Sequence, residues 1–184
     1  MIGCLSLARE TFDIEFAKKK LAKTKRTIKK LNINVNFFED LITNDKIGGN
    51  AIKYFENIKC TKFIVIQSTF TDAKFISSFV KKFKKPILFV SFTEKRTGGR
   101  LRLNSLCGVN LGLHSLVKNK FYSNFIIYSN DEKSFSKKIF RFIKNKKYIT
   151  KKKYLKKIAN SKINNKKLIE FKQPKIGLIG KRPE

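Results

Sequence analysis

The chain has 184 residues, 41% hydrophobic and 30% charged, with 43 Lys+Arg against 13 Asp+Glu and a formal net charge of +30. That composition excludes a disordered chain, and no apolar run approaches the roughly 18 residues a membrane-spanning helix needs. Cys4, Cys60 and Cys107 are widely spaced and form no C-x-x-C, which argues against a disulfide scaffold or structural zinc and predicts a reducing, cytoplasmic setting. A short apolar stretch followed at once by Arg9 and Glu10, with no basic leader before it, predicts the absence of a secretory signal.

In chain order, short apolar strands alternate with amphipathic helices. Ile2–Leu7 is a continuous apolar run, as a central parallel strand requires. Thr11 or Asp13 opens a helix to about Lys30, with Phe12, Phe16, Leu21 and Ile28 on one side. Alternation over Asn32–Phe37 predicts the second strand, and Asn44 or Asp45 starts a helix reaching about Asn57. The β-branched run Lys62–Ile66 is the third strand, and Thr71 or Asp72 caps a helix carrying Phe75, Ile76, Phe79 and Val80. Pro86 introduces a fourth strand, Ile87–Phe92, and a glycine-containing loop leads to a helix over Asn104–Val117. Phe125–Tyr128 is the fifth strand, and a basic helix starts near Glu132. The alternation predicts an α/β fold: a doubly wound, parallel five-stranded sheet of flavodoxin-like order 2-1-3-4-5, with helices on both faces. Lys146–Lys175 reads as a helix tail and linker, and Ile176–Gly180 as another strand starting. The expected organisation is one α/β domain over 1–171, then a linker and the first strand of a truncated second domain over 172–184.

The charge invites a nucleic-acid reading, since Lys and Arg neutralise phosphates. However, 36 of the basic residues are Lys, and Phe, Ile and Asn are abundant, as A/T-rich codons would give. Lys then fills solvated faces by default. Between Lys133 and Lys175 there are 17 Lys+Arg and one acid, Glu170. Phe135, Ile139 and Phe142 recur there at helical spacing, which favours a buried stripe over base-stacking aromatics. A stand-alone basic module for nucleic acid remains the rival reading, and a flavodoxin-like sugar- or nucleotide-binding regulator is another.

Ligands of parallel sheets bind outside the carboxyl ends of the strands. Polar residues follow three such ends: Ser6 to Thr11, Gln67 to Asp72, and Ser91 to Ser105. The third loop gathers Arg96, Arg100 and Arg102, three of the seven arginines, whose planar forks suit carboxylate or phosphate as Lys does not. Glu10 and Glu94 are the nearest acids in sequence to pair with them. Gly98 and Gly99 fit a positive φ or a close backbone approach, while Gly108 and Gly112 fit tight helix–sheet packing. His114, the only histidine, reads as a structural side chain, and Cys107 as a packed thiol. No G-x-G-x-x-G follows the first strand, and Asp72 with Glu94 would make a poor metal site.

Three blocks carry a resemblance. Ile2-Gly3-Cys4-Leu5-Ser6-Leu7-Ala8-Arg9-Glu10-Thr11-Phe12-Asp13 resembles the opening of L-fucose isomerase-like proteins. Gln67-Ser68-Thr69-Phe70-Thr71-Asp72 is similar to their second block, and the run from Arg96 to Leu111, followed by His114, is the most specific match. The resemblance implies the amino-terminal domain of an aldose–ketose isomerase of the fucose/arabinose class acting on a monosaccharide. It implies a divalent cation, typically Mn²⁺, that chelates the open-chain sugar while carboxylates move a proton through an ene-diol. The implied metal ligands lie in later domains, so no catalytic or metal residue is assigned here and this chain alone is expected to be inactive. The resemblance further implies a homo-oligomer, often a hexamer, in which this domain reaches a neighbour's active site. Arg9 matches a substrate-contacting arginine, and Thr69 or Phe70 lies where an aromatic covers the sugar. Arg96 and Arg100 join them as candidate substrate-binding residues on their own chemistry.

Overall fold

A computed structural model describes residues 1–94, 98–119, 124–128 and 132–144. The chain divides into two compact units, Met1–Lys151 and Lys152–Glu184, and the described residues all lie in the first. Arg96, the tail expected over 146–175 and the strand expected at Ile176–Gly180 lie outside the described residues. The elements are β1 (Ile2–Leu7), α1 (Ile14–Lys29), β2 (Val35–Ile42), α2 (Asp45–Glu56), β3 (Lys62–Gln67), α3 (Lys74–Phe83), β4 (Ile87–Phe92), α4 (Ser105–Lys118), β5 (Asn124–Tyr128) and α5 (Glu132–Lys144). The strands pair in parallel in the order β2-β1-β3-β4-β5. Among the described residues no helix is long and apolar enough to cross a membrane.

The parallel α/β class expected from the alternation of strands and helices is present, with the run β2-β1-β3-β4. All six residues of β1 and of β4 are buried, so these strands are covered on both faces. On one face, Ile2 and Cys4 of β1 and Ile64 and Ile66 of β3 pack with Ala17, Leu21 and Ile28 of α1 and with Phe135, Ile139 and Phe142 of α5. The expected α5 stripe is therefore core. On the other face, Leu5, Leu7, Phe63, Val65 and Phe89 meet α2, α3 and α4. Phenylalanine does there what tryptophan does not, since the chain has 18 Phe and no Trp. Phe55, Phe63 and Phe79 form edge-to-face pairs with centroids 4.8–6.1 Å apart.

Two expectations need correction. The second strand is Val35–Ile42, not Asn32–Phe37. Asn32 closes the end of α1, donating its N–H to Lys29 O at φ 51°, so it cannot be extended. The polar pair Glu39–Asp40, which ends the alternation in sequence, is carried by a register shift between Cys4 and Ser6 of β1. An edge strand tolerates this because its outer side is solvated. The second correction concerns α3, whose N-cap is Ala73 with no side-chain cap bond. Asp72 instead accepts from Lys74 N at 3.0 Å, inside the helix start. Asp13 and Asn44 do cap α1 and α2, accepting from Phe16 N and Ile47 N.

Gly3 sits where the aromatic cluster meets β1. A Cβ there would lie 2.5 Å from the Phe63 ring and 2.9 Å from that of Phe55, whereas a Cβ at Gly49 of α2 meets nothing within 4 Å. Chemical denaturation should therefore separate the two: Gly3→Ala loses about 1–3 kcal/mol to overpacking, and Gly49→Ala gains about 0.5–1 kcal/mol as a helix-interior replacement.

Candidate functional site

The carboxyl ends of β1, β3 and β4 are tied by buried polar contacts. Leu7 O accepts from Ser68 N at 2.8 Å and from Thr69 N at 3.4 Å. Ser105, the first residue of α4, donates its hydroxyl to Gln67 O, so it accepts from Phe92 N (2.9 Å) and from Ser91 Oγ (3.1 Å). Gln67 is 1% exposed, and its amide donates to Thr69 O at 2.7 Å and to Thr71 Oγ1 at 2.8 Å. A Cβ at Gly108 would stand 2.8 Å from that amide nitrogen, and one at Gly112 would stand 3.2 Å from Phe89. The expected tight packing of α4 is therefore present, and it holds the third loop against β3.

On this base sits an exposed rim. Arg9 N donates to Thr69 Oγ1 at 2.7 Å, and its guanidinium donates to Asp72 Oδ2 at 2.9 Å and lies 5.8 Å from the Phe70 ring centroid. Phe70 and Phe12 are 6.0 Å apart, and the Arg100 guanidinium lies 5.4 Å from Phe12 while donating to Thr11 O at 3.3 Å. The order along the edge is Asp72, Arg9, Phe70, Phe12, Arg100. With side chains 44% and 57% exposed, the Arg9–Asp72 pair contributes at most about 1 kcal/mol. Its effect is to orient the fork. Arg102 bonds Asp13 Oδ2 through Nε (2.8 Å) and stacks at 3.9 Å on Phe16, and Phe70 N donates to Leu103 O at 2.7 Å.

Arg9, Phe70 and Arg100 are thus brought together. Thr69 is not at the surface: it is fully buried and its hydroxyl is engaged by Arg9 N and Phe70 O. The acids expected to pair with the arginines do other work. Glu94 accepts from Leu103 N (2.8 Å) and Asn104 N (2.7 Å), supplying the start of α4 with the acceptor that Asn104, at φ 50°, does not provide. Glu10 accepts from Thr43 Oγ1 at 3.0 Å. Asp72 and Asp13 take the arginines instead, because the loops fold them within reach. Gly98 and Gly99 adopt φ 76° and 71° with open space where a Cβ would lie, so positive φ is their reason.

Cys107 departs from the expected packed thiol, since it is exposed on α4, as is His114. Cys4 and Cys60 are buried, and burial pushes the Cys4 thiol up to about 12. The sequence reading missed one flank of the edge. An open cleft beside Arg9 and Asp72 is lined by Thr43, Asn44 and Asp45 after β2 and by Lys74 and Phe75 of α3. The signal was the second strand's end: once β2 runs to Ile42, Thr43–Asp45 fall on the rim.

Among the described residues no three His, Cys, Asp or Glu side chains converge to hold a metal. The rim carboxylates are already engaged: Asp72 by Arg9, Asp13 by Arg102, Glu94 by backbone N–H groups, Glu10 by Thr43 and Asp45 by Lys74. The donor set among the described residues does not fit a divalent cation.

A sequence model described as "Fucose/sulfoquinovose isomerase, N-terminal domain" matches residues 3–160. Sulfoquinovose isomerases of Priestia aryabhattai and Priestia megaterium are each 32% identical over 141 residues, 74% of this chain and 31% of theirs. That of Alkalicoccus urumqiensis is 29% identical over 130 residues, 70% of this chain and 28% of its own. The chain spans about a third of the length of these relatives.

The Asp13 carboxyl is held below its usual range, first by the Phe16 amide and then by Arg102. A depressed folded value stabilises the protein fully above about pH 4 and is lost as pH falls through it. Asp13→Asn should accordingly lower Tm at pH 7, and the gap from the parent should close as pH drops below about 4. Thermal melts across pH check this.

Proposed function

Because the chain belongs to the fucose/sulfoquinovose isomerase family as its amino-terminal domain, we propose that it supplies one wall of the sugar pocket in an aldose–ketose isomerase. Its five-stranded sheet is read as the flavodoxin-like, doubly wound kind, with the pocket wall on its carboxyl edge. The observation that carries this reading is the line of Arg9, Phe70, Phe12 and Arg100 along that edge.

The chemistry of the line suits a sugar. An aromatic ring covers the apolar face of a pyranose or its open chain, and guanidinium forks donate to hydroxyl oxygens beside it. Thr69 and Asp72 act as positioning residues, one holding the Arg9 backbone and the other its fork. Arg100 is held by one carbonyl bond and a ring, and among the described residues no carboxylate pairs with it. Its remaining N–H groups suit an anionic oxygen cluster, which supports a sulfonated aldose of the kind the relatives' name carries. Arg96 would extend the same cationic loop. A divalent cation, Mn²⁺ first, would polarise the sugar oxygens from residues of the later domains. The domain's part is to bind and orient.

In the complete enzyme, Arg9→Lys should lower kcat/KM by roughly 10- to 150-fold, the loss of a charged hydrogen bond of about 1.5–3 kcal/mol, with an unchanged circular dichroism spectrum. An unaltered kcat/KM would remove Arg9 from the pocket. The 184-residue chain alone, supplied with Mn²⁺ and a sulfonated or neutral aldose, should show no ketose formation; turnover would overturn the placement of the chemistry in the later domains.

A further inference from the structure

Asp13, Asp45 and Asp72 each hold a cation at the rim, whereas Glu94 holds two peptides. Its partners, Leu103 N at 2.8 Å and Asn104 N at 2.7 Å, lie nine and ten residues further along the chain. The carboxylate therefore closes on itself the loop that carries Arg100. A helix start is ordinarily capped by an extended residue just before it. Asn104 is instead left-handed, at φ 50° and ψ 34°, and makes no side-chain cap bond. With residue 104 turned this way, the Leu103 carbonyl meets Phe70 N at 2.7 Å. The peptide unit between Leu103 and Asn104 is thus gripped at both ends: its N–H donates to Glu94, and its C=O accepts from Phe70. A charged acceptor on the N–H polarises the amide and makes its oxygen the stronger acceptor. The Leu103 side chain is fully buried in the core with Ala17 and Phe92, so the unit has no room to swing. Lys20 steadies the other end of the loop, donating from Nζ to Thr93 O at 2.9 Å while lying 5.7 Å from the Phe92 ring centroid.

We propose that Glu94 is a positioning residue for sugar binding: through the Leu103–Asn104 peptide its carboxylate fixes the backbone of Phe70, and so the placement of the ring that covers the sugar. This rests on the reading of Phe70 as part of the pocket wall. A carboxylate is required, because only a group with acceptors and no donors takes both N–H groups at once. Glutamine keeps one such oxygen and turns an NH₂ toward the other amide, which leaves one N–H unpaired and the peptide unpolarised. The effect reaches the sugar through Phe70, since Arg9 is held separately by Thr69 and Asp72. A ring that covers the sugar serves ground state and transition state alike, so its displacement shows in KM and not in kcat.

Two measurements test this. In the 184-residue chain, Glu94→Gln should speed hydrogen exchange of the Phe70 amide about tenfold, while the Ser68 amide, held by Leu7 O, keeps the parent's rate. In the complete enzyme, Glu94→Gln should raise KM about 3- to 10-fold with kcat within about twofold. The rise should be equal for sulfonated and neutral aldoses, because the ring meets the carbon face they share. In a Phe70→Ala background the same substitution should add less than about twofold, since the two residues act in series. An unchanged Phe70 exchange rate overturns the proposal. So does a fall in Tm and kcat at constant KM, or a KM rise of equal size in both backgrounds, as a role in capping α4 alone would give. If Glu94→Gln leaves KM unmoved while Arg9→Lys lowers kcat/KM, the positioning role is overturned and the pocket stands; if neither has an effect, the pocket reading falls too. Should Glu94→Gln fold poorly, Gly49→Ala is added to every arm, at a site where the new methyl meets nothing within 4 Å.

Discussion

The peptide and side chain of Gln67 are the joint on which the carboxyl edge depends. Its carbonyl receives the Ser105 hydroxyl, and its side-chain amide holds Thr69 O and Thr71 Oγ1. A fully buried amide left unpaired would cost about 1–3 kcal/mol, so these contacts are made together or not at all. Three loops meet at that point: the turn after β3, the start of α4, and, through Leu7 O, the end of β1. The absence of a side chain at Gly108 lets α4 come close enough for the joint to close. Arg9 and Phe70 are exposed or half-buried, yet their backbone N–H groups are held by Thr69 and Leu103, which are fully buried.

A chain with 43 cations and 13 acids must place its carboxylates with economy. Several of the few go to the rim. Asp72 orients Arg9, Asp13 serves both the first turn of α1 and Arg102, and Glu94 receives two N–H groups at the start of α4. Lysine would not substitute for the arginines in this arrangement, because its ammonium lacks the planar fork that can bond a carboxylate at one edge and lie over a ring. Arg9, Arg100 and Arg102, with the two acids that hold Arg9 and Arg102, describe this edge better than the 36 lysines, whose number follows composition.

The same contrast separates the two faces of the sheet's carboxyl edge from the flank of α4. At the rim, charge is present and held. Along α4, charge is missing over fifteen residues. The family match over residues 3–160 covers both features, and the match to the relatives spans about a third of their length.

Local pattern was enough for much of this. Continuous apolar runs named β1, β3 and β4, Asp13 and Asn44 announced their helices, and the spacing of Phe135, Ile139 and Phe142 announced a buried stripe, because each depends on residues within a turn or two. The clustering of arginine and glycine marked the third loop for the same reason. What sequence could not supply was pairing across the chain. β2 continues past Glu39 and Asp40 because its edge position leaves them in water, which no alternation rule detects. Arg9 chose Asp72, 63 residues away, over nearer acids, and Glu94 was drawn off by backbone N–H groups that only the folded loop presents. Cys107 reads as a packed thiol among apolar neighbours, yet it is exposed, since the side a helix buries is set by what packs against it. Sequence determined the elements and the chemistry available; the tertiary fold decided the partners, because partners are a matter of distance.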